Sequence, residues 1–133
     1  MFKLSIVTPE KVVLDQNIRA MIAPGSEGYL GVLTDHAPLI TGLIPGKLTI
    51  TEADNRQIDY ALSGGFLEVS NNIATILADA IEAPQKIDVE RAKKAEQRAR
   101  ERLVRRSDPN IDAARAEAAL ARALNRQRLA AVQ

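Results

Sequence analysis

The sequence predicts an α+β chain in two mechanical parts: a β body over residues 1–85 and a helical hairpin over residues 86–133. Three observations predict it. Short apolar alternations of period two fill the first part and then stop. All seven glycines and all four aromatic side chains (Phe2, Tyr29, Tyr60, Phe66) lie at or before Phe66, whereas the chain from Lys86 onward holds no glycine, one proline, twelve alanines and ten arginines. Charge divides at the same place: five Lys/Arg against ten Asp/Glu before residue 86, net −5, and thirteen against seven after it, net +6. The formal total of +1 conceals an acidic, turn-rich body and a basic, alanine-rich tail, two parts suited to different partners.

The elements follow in chain order. Phe2, Leu4 and Ile6 alternate with Lys3 and Ser5, which predicts a strand at the N-terminus rather than a signal or transit peptide. Ile18, Ala20 and Ile22 alternate with Arg19 and Met21, Leu48 and Ile50 with Lys47 and Thr49, and Ile58, Tyr60 and Leu62 with Asp59 and Ala61. Each run has the period of a half-buried strand. Turns are expected at Thr8-Pro9-Glu10, Pro24 to Gly28, Pro45-Gly46, Asp54-Asn55, Ser63-Gly64-Gly65 and Asn71-Asn72. Short strands at this spacing suggest a sandwich or a flattened barrel.

In the tail, a helix is expected from Ile87 to about Arg106, with Asp88 as its N-cap. Ser107-Asp108-Pro109-Asn110 breaks it. Asp108 is expected to cap a second helix, with Pro109 at its first position, running to about Ala131. Helices joined by so short a turn can lie antiparallel. On the first, Val89, Ala92, Ala95, Ala99 and Leu103 share a face, and Arg91, Lys94, Arg98, Arg102 and Arg105 form a basic stripe beside it. On the second, Ala113, Ala116, Leu120, Ala123 and Leu124 form one apolar face, and Ile111, Ala114, Ala118, Ala121 and Leu129 another. Arg115, Arg122 and Arg126 make a narrow stripe. Two alanine-rich faces bury little per residue. They suit a hairpin that changes partners, or one docked permanently with its arginines in water.

Much chemistry is excluded. One histidine, His36, and no cysteine cannot build a common zinc site or a disulfide. No metal site and no required cofactor are expected. Nothing brings Ser63 or Ser70 to His36 as a catalytic triad requires. The glycines of Gly25 to Gly31 fit neither the dinucleotide fingerprint nor the P-loop. No apolar run approaches the roughly 20 residues of a membrane span, so a soluble protein is expected. The tail's basic charge is interleaved with seven acids and lacks aromatic residues for stacking, which argues against nucleic acid as a partner. An independent enzyme is not expected.

Four stretches carry a resemblance. Leu4-Ser5-Ile6-Val7-Thr8-Pro9-Glu10 opens the chain. Glu27-Gly28-Tyr29-Leu30-Gly31-Val32-Leu33 is followed by Asp35-His36-Ala37-Pro38-Leu39. Ala61-Leu62-Ser63-Gly64-Gly65-Phe66-Leu67-Glu68-Val69 and Ile87-Asp88-Val89-Glu90-Arg91-Ala92 complete the set. In this order they resemble the ε subunit of rotary ATP synthases over essentially the whole chain.

The resemblance implies an N-terminal antiparallel β-sandwich followed by a C-terminal antiparallel two-helix hairpin. It implies a non-catalytic rotor-stalk subunit on the cytoplasmic face of a bacterial membrane, held there only through the complex. The body, 1–85, is expected to join the γ subunit and the c-ring, with Glu27, Tyr29, Leu30 and His36 at that interface. The tail, 86–133, is expected to regulate: folded it permits turnover, and extended along γ toward the α and β subunits it blocks ATP hydrolysis. The resemblance further implies ATP as a regulatory ligand of the folded hairpin, contacted by Glu82, Ile87, Asp88, Arg91, Ala92, Arg98, Arg115 and Arg122. Arg115, Arg122 and Arg126 are expected to make the inhibitory contacts. Alternatives from other classes are a stand-alone ATP-sensing domain and a basic-tailed nucleic-acid binder. Tyr29 stands where many members carry an acidic residue.

Overall fold

The computed structural model describes residues 1–130, and the last expected helical residue, Ala131, lies outside them. Contacts divide the chain into two compact units, Met1–Glu82 and Ala83–Gln133.

The first unit contains β1 (Phe2–Val7), β2 (Val12–Ile18), β3 (Ala20–Gly25), β4 (Gly28–Leu33), β5 (Leu39–Thr51), β6 (Gln57–Ser70), β7 (Ile73–Ala78) and β8 (Ile81–Glu82). They pair in the order β2-β1-β7-β6-β5-β3-β4, with β8 added to β6. The pairings are antiparallel except β1 with β7, which is parallel. Both layers of the sandwich come from two long strands. Residues 39–43 of β5 and 65–70 of β6 lead to β7, β1 and β2, while residues 46–51 and 57–62 lead to β3 and β8. Between the layers lie Leu4, Ile6, Ile18, Met21, Leu48, Ile50, Leu62, Leu67 and Ile76, all fully buried.

The bends in the long strands correct two expected turns. Pro45-Gly46 and Ser63-Gly64-Gly65 lie inside β5 and β6. The inward side changes there: Leu43 is followed by Leu48 and Ile50, and Leu62 by Leu67 and Val69, so the buried parity shifts by one residue at each bend. Glycine is required for contact. A Cβ on Gly65 would stand 2.1 Å from the Leu77 carbonyl oxygen, at φ +144°, and one on Gly46 would stand 2.6 Å from Pro24 Cβ. The run Ile18 to Ile22 is also not one strand. Arg19 donates its N–H to Thr51 O (2.8 Å) where the chain passes from β1 to β5, and the phase slips, so Met21 and Ala23 are buried and Ile22 is exposed. The remaining turns fall where expected. Asn71 and Asn72, with φ of 51° and 61°, close the β6–β7 hairpin in the left-handed pair that suits strand twist.

The second unit has a 3₁₀ turn at Pro84–Lys86, then α1 (Val89–Val104) and α2 (Ala113–Ala130). Asp88 caps α1 as expected, its Oδ1 accepting from Arg91 N–H at 3.0 Å. The cap of α2 is Asp112 and not Asp108: Asp112 Oδ1 accepts from Arg115 N–H at 3.0 Å, and its carbonyl from Ala116 N–H. Asp108 instead folds the connection, accepting from Asn110 N–H on its side chain (2.9 Å) and from Ile111 N–H on its carbonyl (3.0 Å). An aspartate two residues ahead of a donor closes an Asx turn, and that competes with capping. Of the two apolar faces expected on α2, the first has Ala116 and Ala123 buried and Leu124 exposed, and the second has Leu129 buried and Ala114, Ala118 and Ala121 exposed.

Candidate functional site: an arginine flank on the helical hairpin

Two side-chain contacts mark the helix pairing. Gln127 Nε2 donates to Glu96 Oε1 at 2.8 Å, and Arg106 Nη2 to Glu117 Oε1 at 2.6 Å. Moving ten residues forward from Glu96 moves the partner ten residues back from Gln127, so both obey one antiparallel register. The fully buried residues between the helices are alanines, Ala92 and Ala99 from α1 and Ala116 and Ala123 from α2, each 1–2% exposed, with Leu103 and Leu120 half-buried on the same faces. Methyl groups at these four positions let the two backbones approach closely.

This register distributes the charges. Measured from Ala99, Glu96 falls about 60° to one side, with Arg98 and Arg102 about 100° and 60° to the other. Measured from Ala123, Gln127 falls about 40° to one side, with Arg122 and Arg126 about 100° and 60° to the other. In an antiparallel pair the Glu96–Gln127 bond decides which flanks share a side. The arginine stripes of both helices therefore border the same side of the seam, opposite that bond.

The flanks also differ in pairing. On the Glu96 side, Arg100 Nε donates to Glu96 Oε2 at 2.7 Å, and Lys93 lies 3.9 Å from Glu90. Glu96 has its pKa lowered, first by the Gln127 hydrogen bond and then by the Arg100 hydrogen bond. Among the described residues, Arg98, Arg102 and Arg122 form no ion pair. Guanidinium groups of like charge held together without carboxylates favour an anion.

The structure sorts the site residues named from sequence. Arg98 and Arg122 lie within about 5 Å of each other along the hairpin axis, and Arg102 and Arg126 fill the same stretch. Arg91 and Arg115 lie beyond it on opposite sides, separated by about 25 Å of helical rise, so the four arginines do not meet at one point. Ile87 and Ala92 are buried, and Asp88 is engaged as the cap of α1. Glu82 belongs to the other unit, in β8. Arg102, part of the basic stripe of α1 but not among the contacts implied for ATP, shares this flank. Its position four residues after Arg98, on one stripe, was the available signal.

In the sandwich unit, Glu27 is exposed at the tip of the β3–β4 hairpin. Tyr29 is 59% exposed, and its hydroxyl accepts from Lys47 N–H at 3.1 Å. Leu30 packs onto the core. His36, half-buried, has Nδ1 2.7 Å from Ala37 O. A feature of tertiary structure joins these. Ile40, Phe66 and Leu77, from β5, β6 and β7, are 77%, 62% and 56% exposed, and Phe66 is in register with Leu77. Among the described residues no group of acids and histidine suits a metal ion, and no helix is long and apolar enough to cross a membrane.

Known proteins match along the whole chain. Residues 1–84 match the family of the ATP synthase delta/epsilon chain β-sandwich domain, and residues 85–131 that of its long α-helix domain. An ATP synthase epsilon chain of Moorella thermoacetica is 50% identical over 127 residues, covering 96% of this chain and 94% of that one. The epsilon chain of Carboxydothermus hydrogenoformans is 52% identical over 105 residues, 79% of this chain and 78% of that one. Among solved structures, a chain of the Euglena gracilis mitochondrial ATP synthase OSCP/F1/c-ring assembly superposes with a TM-score of 0.75 at 26% identity, over 98% of this chain and 80% of that one. A chain of the Tetrahymena thermophila central stalk and c-ring shares the fold, with a TM-score of 0.65 at 18% identity, over 98% and 93%. With a sandwich and a helical hairpin each matched at its own residues, the chain belongs to the ATP synthase delta/epsilon chain family, a non-catalytic subunit of that enzyme.

Proposed function

We propose that this chain is a rotor-stalk subunit whose sandwich joins the γ subunit to the c-ring and whose hairpin senses ATP and restrains ATP hydrolysis. The complex then holds it at the cytoplasmic face of the membrane. The observation that carries the regulatory half is the arginine flank, where Arg98, Arg102 and Arg122 border one side of the seam and, among the described residues, form no ion pair. A triphosphate supplies the missing negative charge. It binds there only while the helices are antiparallel and adjacent, so by linkage ATP raises the population of the closed hairpin. When the hairpin opens, Arg115, Arg122 and Arg126 become available to acidic loops of the α and β subunits. Arg122 thus serves two exclusive partners.

The assembly half rests on the exposed apolar residues Ile40, Phe66 and Leu77, flanked by the β3–β4 hairpin with Glu27, Tyr29 and Leu30 and by the His36 loop. Exposed apolar side chains grouped on adjacent strands mark a surface that a partner covers. We assign γ to this surface and the c-ring to the hairpin and loop. Isothermal titration of ATP into the intact chain and into Arg98→Ala and Arg122→Ala tests the ligand. Both variants should bind more weakly, and binding equal to that of the intact chain would remove the site.

A further inference from the structure

We infer that the Glu96–Gln127 and Arg106–Glu117 contacts are positioning elements: they select the one helix register that aligns the arginines of the two helices. This rests on reading the arginine flank as the anion site.

The alanine seam cannot select that register. Ala92 and Ala99 are seven residues apart, and so are Ala116 and Ala123. Sliding α2 by seven residues along α1 again places alanine methyls level with alanine methyls. Such a slip loses little alanine contact, since each methyl is small, and leaves only the half-buried Leu103 and Leu120 to resist it by apolar packing. It moves Arg122 by about 10 Å relative to Arg98, which breaks up the group. A seam that repeats in this way needs a polar feature to fix its register, as a buried asparagine does in a coiled coil.

The two polar contacts meet that need. They lie about 15 Å apart along α2 and demand the same register, so no other alignment satisfies both. The Glu96 contact is prepared from within its own helix, because Arg100 holds the second carboxylate oxygen at 2.7 Å and points the first toward Gln127. Gln127 is further directed by a 3.4 Å bond to Ala123 O. Both contacts involve residues outside the arginine flank. They shape that flank without touching what binds there.

The chain lacks cysteine, so introduced pairs report register without background. A disulfide needs Cα atoms within about 7 Å. Ala99→Cys with Ala123→Cys tests the observed register, and Ala99→Cys with Ala116→Cys the slipped one. In the otherwise intact chain the first pair should cross-link and the second should not. With Glu96→Ala and Arg106→Ala added, the second pair should also form, and ATP should bind at least roughly tenfold more weakly by calorimetry. The exchanged pair Arg106→Glu with Glu117→Arg should restore both the single cross-link and most of the affinity, which separates register from loss of folding. If the slipped pair stays silent in the doubly substituted chain, the inference is wrong. If the intact chain binds no ATP, the anion reading fails, and the cross-links alone still decide whether these contacts set register.

Discussion

Single positions carry sharply different weights. Gly65 holds φ +144° with the Leu77 carbonyl oxygen 2.1 Å from where a Cβ would sit, while Gly31 has nothing within 4 Å of that point. Gly65→Ala should therefore cost upward of about 3 kcal/mol in urea unfolding, and Gly31→Ala less than about 1 kcal/mol. Equal effects would mean that the bend in β6 relaxes. Glu96 has a pH signature. Its carboxyl is held below the ordinary range by Gln127 and then by Arg100. A depressed native pKa gives stability that is complete above the unfolded-state value and is lost as pH falls through the native one. The difference in helical melting between the intact chain and Glu96→Gln should thus be greatest near neutrality and vanish in acid. A difference independent of pH would assign it to shape alone. Asp88→Ala is a poorer probe of ATP than Arg122→Ala, because Asp88 also caps α1.

At the scale of elements, the two aspartates before α2 can be told apart. Loss of the Asp112 cap should cost about 1 kcal/mol of hairpin stability by thermal unfolding. Asp108→Ala should cost less, since it removes a turn bond and leaves the helix capped. The reverse order would restore Asp108 as the cap. Sequence could not separate them: both precede helix-forming residues, and Pro109 after Asp108 suits a first helical position. The strands were legible because period-two alternation survives in any single sequence. What was not legible was partner exchange. At Arg19, Gly46 and Gly64-Gly65 a strand changes neighbour, and the register of the chain across the sheet shifts the inward side by one. Local alternation carries no record of which strand lies beside it. The arginine stripes were legible by helical period, but their common flank depends on the Glu96–Gln127 contact, 31 residues apart in sequence.

At the scale of the molecule, the division of labour makes two demands. The sandwich core, from Phe2 to Ala78 with Ile81 against it, is complete without a single hairpin residue. A chain ending at Gln85 should therefore fold and still assemble with γ and the c-ring, and failure of that truncation to enter the complex would refute the division. The hairpin has the opposite character: the fully buried residues of its seam are alanines, and among the described residues Arg98, Arg102 and Arg122 of its arginine flank form no ion pair. Inhibition by such an element should act through charge more than through apolar burial. Partly exposed ion pairs are screened as ionic strength rises, with a Debye length of about 10 Å at 0.1 M and about 3 Å at 1 M. ATP hydrolysis by the assembled enzyme should accordingly be inhibited by the intact tail, less so with added salt, and least when Arg122 and Arg126 are both alanine or the tail is removed. ATP should relieve inhibition in the intact complex at concentrations that fill the hairpin site, because it competes for Arg122. If the doubly substituted tail inhibits as strongly as the intact one at every salt concentration, the exposed Ala114, Ala118 and Ala121 face of α2, packing against a neighbouring helix, becomes the better account of how the tail restrains the rotor.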